Sequence, residues 1–327
     1  RANNETVTVA ILQGFVHNQG DAWNYTLEAF DQYVVRCQVQ TPGSAHELTF
    51  AGSILEAPQG DIPLVARECI GPYLDSVSLL GQRTAELHIA LATVQDNPDF
   101  MPEPFSLEYR RSRYESMGRL VSQTCSLLRS RLNDLPSSTE QGARRVLNNE
   151  SRMQNRFRAF SELETCARRT RCHGDYHLGQ VLWTGRDFLI SDFEGEPARP
   201  LSERRMKHSP IMDVAGMLRS LYYAPYAALL RQQPLWHAEG AGASLDPWIR
   251  FWCGWVSVAF LKSYLKIAER ASFWPGTQSE FHVLLDAHLL EKAVYEIGYE
   301  LNNRPHWVGI PIRGVLEIVE MKTRQAM

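Results

Sequence analysis

The sequence predicts an α+β fold that is mostly helical, with one short β region near its middle. Three observations predict it. Apolar residues recur at spacings of three and four over most of the chain, as amphipathic helices require. Two short apolar runs, Val181 to Trp183 and Phe188 to Ser191, flank Thr184-Gly185-Arg186-Asp187, the pattern of a β-hairpin. The chain also begins with a β-branched and apolar run, Thr6 to Val16, which reads as a buried strand.

The elements follow in order. After the first run, Gln19-Gly20-Asp21 reads as a turn, with Asp21 as the N-cap of a helix that carries Trp23, Leu27, Phe30 and Val34 on one face. Residues 41–71 are rich in Gly and Pro and read as a loop with room for a short helix. Leu79, Leu80, Arg83, Leu87 and Leu91 mark a helix that ends before Asn97-Pro98. Residues 112–133 and 138–168 read as two long helices, the second with Val146, Met153, Phe157 and Phe160 on its apolar stripe. Beyond the hairpin, helices are expected near 212–231, 246–271 and 279–303.

Composition narrows the function classes. The 327 residues suffice for one large domain or two modest ones. The net charge of −3 has no dominant sign, so a nucleic-acid or membrane-surface binder is not expected. The longest apolar stretch, Phe251 to Phe260, is too short to cross a bilayer, and a cytoplasmic protein is expected. The six cysteines show no C-x-x-C spacing, and Cys166 and Cys172 read as small buried groups.

The chemistry concentrates in residues 172–196, CHGDYHLGQVLWTGRDFLISDFEGE. Phosphoryl transfer needs an acid group to orient and deprotonate the acceptor hydroxyl, and oxygen ligands for a magnesium ion on the nucleotide phosphates. In protein kinases the catalytic loop H-R-D-x-x-x-x-N sets base and metal-binding amide five residues apart. Asp175 and Gln180 have that separation, and Asp192 in Asp-Phe-Glu takes the place of the D-F-G aspartate. Asp175 is therefore the candidate base, with Gln180 and Asp192 as candidate Mg2+ ligands. Gly174 would let the loop turn tightly beside the base. His173 reads as a loop brace, and His177 as either a brace or a contact to the transferred phosphate. His173, Asp175 and His177 also have a metal-ligand spacing, which leaves a metallohydrolase as a rival.

The blocks HGDYHLGQVL, DFEGEPARPLSERRMKHSPIMDVAGMLRSLYYA and YEIGYELNNRPHWVGIPIRG resemble the maltokinases, including maltokinase regions fused to trehalose synthases, within the aminoglycoside phosphotransferase and choline kinase-like group. The resemblance implies a protein-kinase-like fold, mainly its helical C-terminal lobe, with the N-terminal lobe largely absent. Residues 1–20 would be the hinge strand and the end of that lobe, and 21–327 the helical lobe with catalytic loop 172–196. It implies ATP-dependent phosphorylation of maltose at the anomeric hydroxyl, and a trehalose synthase domain as a fused or associated partner. Leu12-Gln13-Gly14-Phe15-Val16 looks like the hinge, and Gln13, Phe15 and Val16 become the nucleotide-binding candidates. A glycine-rich loop and phosphate-binding Lys would lie before the hinge; no such run occurs in this sequence, so the chain alone is expected to be weakly active or inactive.

Sugar recognition calls for aromatic faces and for carboxylates and cations on the hydroxyls. Tyr295 and Tyr299 share one helical face, as do Glu296 and Glu300, and Trp307 follows the break at Pro305. Tyr295, Glu296, Tyr299 and Trp307 are acceptor candidates. Glu194, Arg205 and Lys207 join them from the charged segment after Asp192, as does His177. The rivals are a kinase of another small-alcohol or antibiotic acceptor, and a non-catalytic sugar-binding or regulatory module.

Overall fold

The computed structural model describes residues 11–40, 50, 53–94, 96–231 and 241–321. Helix α1 (Ala22–Gln40) begins at Asp21, whose Oδ1 accepts the Asn24 amide at 2.8 Å, as the capping reading requires. A 3-10 turn (Ala57–Gln59) and α2 (Leu64–Ile70) occupy the Gly- and Pro-rich stretch, and α3 (Tyr73–Thr93) follows. Helix α4 (Leu107–Ser130) is capped by Ser106, whose hydroxyl accepts the Tyr109 amide. Then come α5 (Ser137–Asn148), α6 (Glu150–Glu162), the hairpin strands, a single turn α7 (Leu201–Arg204), α8 (Ile211–Arg231), α9 (Ala241–Ala268), α10 (Gln278–Asn303) and α11 (Gly309–Met321).

Four short strands make two antiparallel pairs. β1 (Glu103–Pro104) pairs with β2 (Arg168–Arg169). β3 (Val181–Trp183) pairs with β4 (Phe188–Ile190) in the expected hairpin, with Leu182 opposite Leu189. The Thr184 hydroxyl accepts the Asp187 amide at 3.0 Å and closes the turn. Arg83 of α3 grips the Asp187 carboxylate through two nitrogens, at 2.8 and 2.9 Å, and so ties the hairpin tip to the helical body.

The core lies where α3 and α9 run against each other, with α1 and α8 alongside. Trp252 stacks on Tyr73 with centroids 5.0 Å apart, and Phe30 and Tyr33 close the other sides. The two phenols are satisfied: Tyr73 meets the Thr26 hydroxyl at 2.7 Å, and Tyr33 donates to the Trp248 carbonyl at 3.0 Å. Among the described residues no helix is long and apolar enough to cross a membrane.

Several expectations are corrected. The helix expected over 138–168 is two helices. Asn149 ends the first because its side-chain amide donates to the Arg145 carbonyl at 2.8 Å, in competition with the backbone ladder. The second stops at Glu162, so Cys166 falls on the following loop and is exposed, and Cys172 is only partly buried. Helix α11 lies beyond the last helix placed from sequence. Of the strand expected over Thr6 to Val16, residues 6–10 lie outside the described residues. Residues 11–16 form no strand, and Leu12 and Phe15 are 100% and 82% exposed. A strand needs a partner ladder, and among the described residues none meets this segment.

Helix approach tests this packing. A Cβ on Gly81 of α3 would fall inside the contact shell of the Phe260 carbonyl oxygen on α9, a backbone atom that cannot swing aside. Gly81→Ala therefore destabilises the protein by about 1–3 kcal/mol, despite alanine's better helix propensity. Denaturant unfolding checks this; an unchanged or raised midpoint would place the two helices further apart.

Candidate active site

The loop after β2 is built on Asp213, the third residue of α8. Its buried carboxylate accepts the His173 amide at 2.7 Å and the Gly174 amide at 3.0 Å, and His88 of α3 approaches it at 3.3 Å. Burial alone would raise its pKa. The His88 contact, the neighbouring His173 and the Gly174 amide overcome this and hold the carboxyl below its ordinary range. Thr170 and His208 exchange two backbone bonds, at 2.8 and 3.0 Å, and fix the entry to the loop.

Gly174 has φ +86°, and a Cβ there would stand 3.4 Å from the Gly195 Cα, so the loop turns against the segment after the hairpin. His173 Nε2 lies 2.8 Å from the Ser191 carbonyl. Ser191 in turn donates both its amide (2.9 Å) and its hydroxyl (3.1 Å) to the Gln180 carbonyl. One serine thus joins the Asp175 loop to Gln180, and the next residue is Asp192. Asp192 is the one described non-glycine residue with positive φ, +63°, a conformation that Asp tolerates better than most. Asp175 keeps 13% side-chain exposure and Asp192 is exposed, so neither carboxylate is lost beneath the core.

His177 Nδ1 accepts the Gly179 amide at 3.1 Å. Burial lowers the imidazole pKa, with the nearby Asp175 charge opposing. A neutral ring that accepts at Nδ1 carries its proton on Nε2, which stands 3.7 Å from Asp175 Oδ2. His173 is committed to Ser191, and among the described residues no group of three or more His, Cys, Asp or Glu side chains could hold a metal ion. The donor set of Gln180 and Asp192, one amide oxygen and one carboxylate, suits magnesium, which takes few protein ligands and completes its shell with phosphate and water oxygens.

Helix α10 supplies the opposite wall. Lys292 Nζ stands 3.7 Å from Asp175 Oδ1 and 3.9 Å from Glu196 Oε2, and 5.1 Å from the Tyr295 ring centroid. Burial, with the Glu196 charge beside it, raises the Tyr295 phenol. Tyr299 lies one turn on with 44% exposure, its ring 6.4 Å from that of Tyr295. The other face of the helix is used internally. Glu296 is held by Arg219 at 2.6 Å, and Glu300 by Tyr223 and Arg304. Arg304 also covers the Trp307 ring at 4.4 Å, on a half-buried Trp.

The remaining candidates divide. Lys207 is corrected: it is buried, and its ammonium is taken by the Pro98 carbonyl at 2.7 Å and Glu103 at 2.8 Å. Glu296 is likewise engaged with Arg219 rather than open to a sugar. Glu194 and Arg205 are exposed along the segment after Asp192, and the Arg205 carbonyl receives Arg171. Gln13, Phe15 and Val16 are exposed, and their segment leads to the hairpin: the Gln19 amide donates to the Trp183 carbonyl at 2.7 Å and the Trp183 amide to Gly20 at 2.9 Å. Lys292 is the residue that sequence reasoning missed. Its signal was its place three residues before Tyr295 on the same helix.

No family model matches the chain. The fold is that of solved sugar-kinase structures, mostly helical with few short strands. A glucosamine kinase in complex with glucosamine, ADP and inorganic phosphate superposes with a TM-score of 0.67 at 18% identity, covering 94% of this chain and 62% of that one. A second glucosamine kinase structure gives 0.63 at 19% identity, over 93% and 59%. In sequence, the chain is 28% identical over 145 residues to a glucosamine kinase of Streptacidiphilus jiangxiensis, covering 42% of this chain and 29% of that protein. It is 31% identical over 140 residues to one of Mycolicibacterium smegmatis, covering 42% and 32%. The chain thus spans about a third of these curated relatives.

A buried histidine beneath the loop gives the site a pH signature. Burial, with Arg113 and Arg199 nearby, pushes His208 down to about 3. Its unfolded value lies near 6.5, so its contribution to stability is full above that pH and declines as pH falls toward the folded value. The stability gap between the parent and His208→Asn shrinks by about 2 kcal/mol from pH 7 to pH 5. Unfolding curves at the two pH values measure it; a constant gap would mean that His208 titrates normally in the fold.

Proposed function

We propose that this chain provides the catalytic lobe of an ATP-dependent sugar kinase, with Asp175 as its base. The observation that carries the proposal is the double commitment of Ser191, whose carbonyl meets His173 and whose amide and hydroxyl meet Gln180. Those bonds tie the loop of Asp175 to the backbone of Gln180 one residue before Asp192, which supports a reading in which the three side chains serve phosphoryl transfer together. The similar proteins named above are glucosamine kinases, which supports the same class.

A sugar hydroxyl would lie between Asp175 and the face formed by Lys292, Tyr295 and Tyr299. Asp175 orients the hydroxyl and takes its proton as the oxygen attacks the γ-phosphorus and the bond to ADP breaks. His177 Nε2–H and the Lys292 ammonium, each 3.7 Å away, flank the two Asp175 oxygens. Magnesium, when bound, supplies charge neutralisation at the phosphates, and Gln180 and Asp192 would hold it. The segment through Gln13, Phe15 and Val16 would offer backbone groups to the adenine.

For the acceptor we favour maltose at its anomeric hydroxyl, on the resemblance of the three sequence blocks to maltokinases. A trehalose synthase partner belongs to the same reading. Glucosamine is the second reading, favoured by the named relatives. Asp175→Asn lowers kcat by about 10²–10⁴ and leaves ATP binding by calorimetry unchanged; normal turnover would remove Asp175 from the base role. Phosphorus NMR of the product separates the acceptors. An anomeric phosphate couples to one proton and gives a doublet, whereas a phosphate on a primary hydroxyl gives a triplet. A triplet would overturn maltose and keep the kinase. Sugar binding without magnesium–ATP binding would leave a sugar-binding module.

Lys292→Met tests the helix wall. It raises the KM for the sugar by about tenfold, the worth of one hydrogen bond to a charged group, with the KM for ATP unchanged. An unchanged sugar KM would move the acceptor off this face.

A further inference from the structure

His88 lies on α3, fully buried. Its two ring nitrogens face different elements. Nε2 is 3.3 Å from Asp213 Oδ2 on α8, and Nδ1 is 3.0 Å from the Tyr264 hydroxyl on α9. A carboxylate oxygen only accepts, so Nε2 carries a proton toward Asp213. Nδ1 faces the Tyr264 hydroxyl, whose buried phenol is pushed well up and keeps its proton. Tyr264 and Phe273 both present T-shaped contacts to the imidazole, which has no room to turn. The Asp213 carboxylate receives three donors in all: His88 and the amides of His173 and Gly174. Those two amides belong to the residues immediately before Asp175.

We infer that His88 is a positioning residue for phosphoryl transfer: held by Tyr264, it fixes the Asp213 carboxylate, and through it the backbone from which Asp175 projects. The inference rests on the kinase reading above. His88 touches no reacting atom, so it acts only through the loop. Without its N–H, Asp213 keeps two donors, both on the loop, and nothing in the helical body fixes the carboxylate's rotation about its own bonds. The loop and the carboxylate would then shift together. A displacement near 1 Å at a catalytic group costs on the order of 10² in rate while leaving binding nearly intact.

The test uses the protein at its full natural length, with the N-terminal lobe that the resemblance implies, carrying His88→Leu, His88→Gln or Tyr264→Phe. Leucine keeps most of the volume and removes the donor; glutamine can place an amide N–H near the Nε2 position. His88→Leu should lower kcat about 100-fold, with both KM values within about twofold. His88→Gln should recover at least about tenfold of that loss. Hydrogen exchange gives a readout that does not need turnover: the His173 and Gly174 amides should lose at least about tenfold protection in His88→Leu and regain it in His88→Gln. If His88→Leu does not fold, Tyr264→Phe and His88→Gln carry the test. Tyr264→Phe should lower kcat several-fold with unchanged KM and loosen the same two amides. Parent-like kcat and protection in the folded variants would overturn the inference. So would losses in His88→Leu and His88→Gln that follow melting temperature alone. If the parent itself phosphorylates no sugar, the kinase reading fails, and the exchange rates still decide whether His88 holds the loop.

Discussion

The site depends on one carboxylate sealed away from water. Asp213 is 2% exposed, and a charge so placed is stable only while its donors remain in reach. Two of the donors are backbone amides of the loop that bears Asp175. Moving that loop would orphan a buried charge, at a cost of about 3–5 kcal/mol for a broken buried pair. Loop geometry is thereby coupled to the packing of α3, α8 and α9, far from any substrate. The hairpin extends the same constraint, because Ser191 locks Gln180 to the loop and Arg83 locks the hairpin tip to α3.

Helix α10 is positioned by the same kind of interaction on its inner face. Arg113 of α4 meets both oxygens of Glu291, at 2.5 and 2.6 Å, with both side chains about 10% exposed or less. Arg219 of α8 holds Glu296 one turn further on. Charges that read in sequence as available to a ligand are therefore anchors, and their work is to present Lys292, Tyr295 and Tyr299 toward Asp175. Residues at i and i+4 on one face can do this because the helix fixes their relative positions once two points on its other face are pinned.

What the sequence made legible was local. The hairpin follows from two apolar runs and a turn, and the spacing of Asp175, Gln180 and Asp192 survives because one loop and one hairpin connect them. The bracing role of His173 was also readable from its place in the motif. Contacts between distant segments were not. Lys207 stood in the charged segment after Asp192, but its partner Glu103 lies 104 positions earlier, and no spacing rule connects them. Lys292 is one letter in an amphipathic helix, and its significance exists only after α10 packs beside the loop. His88 looked like one more position on α3, since its two partners come from α8 and α9. The run at 11–16 misled in the opposite sense: its β propensity was real, but propensity does not supply a partner strand.

The carboxylates of the protein divide by how fully their oxygens are occupied. Glu291 and Glu296 receive guanidinium nitrogens at 2.5 to 3.0 Å, and Asp213 receives two amides at 2.7 and 3.0 Å. Each of these carboxylates is engaged in short hydrogen bonds from within the protein. Asp175 differs. Lys292 and His177 both stand at 3.7 Å, beside its oxygens but too far for a hydrogen bond. Its lone pairs are therefore not taken up by these two neighbours, as the proposed role requires of a group that is to receive a hydroxyl. The base role proposed for Asp175 asks for a carboxylate held without being satisfied, and among these four it is the one whose neighbours stand beyond hydrogen-bond distance.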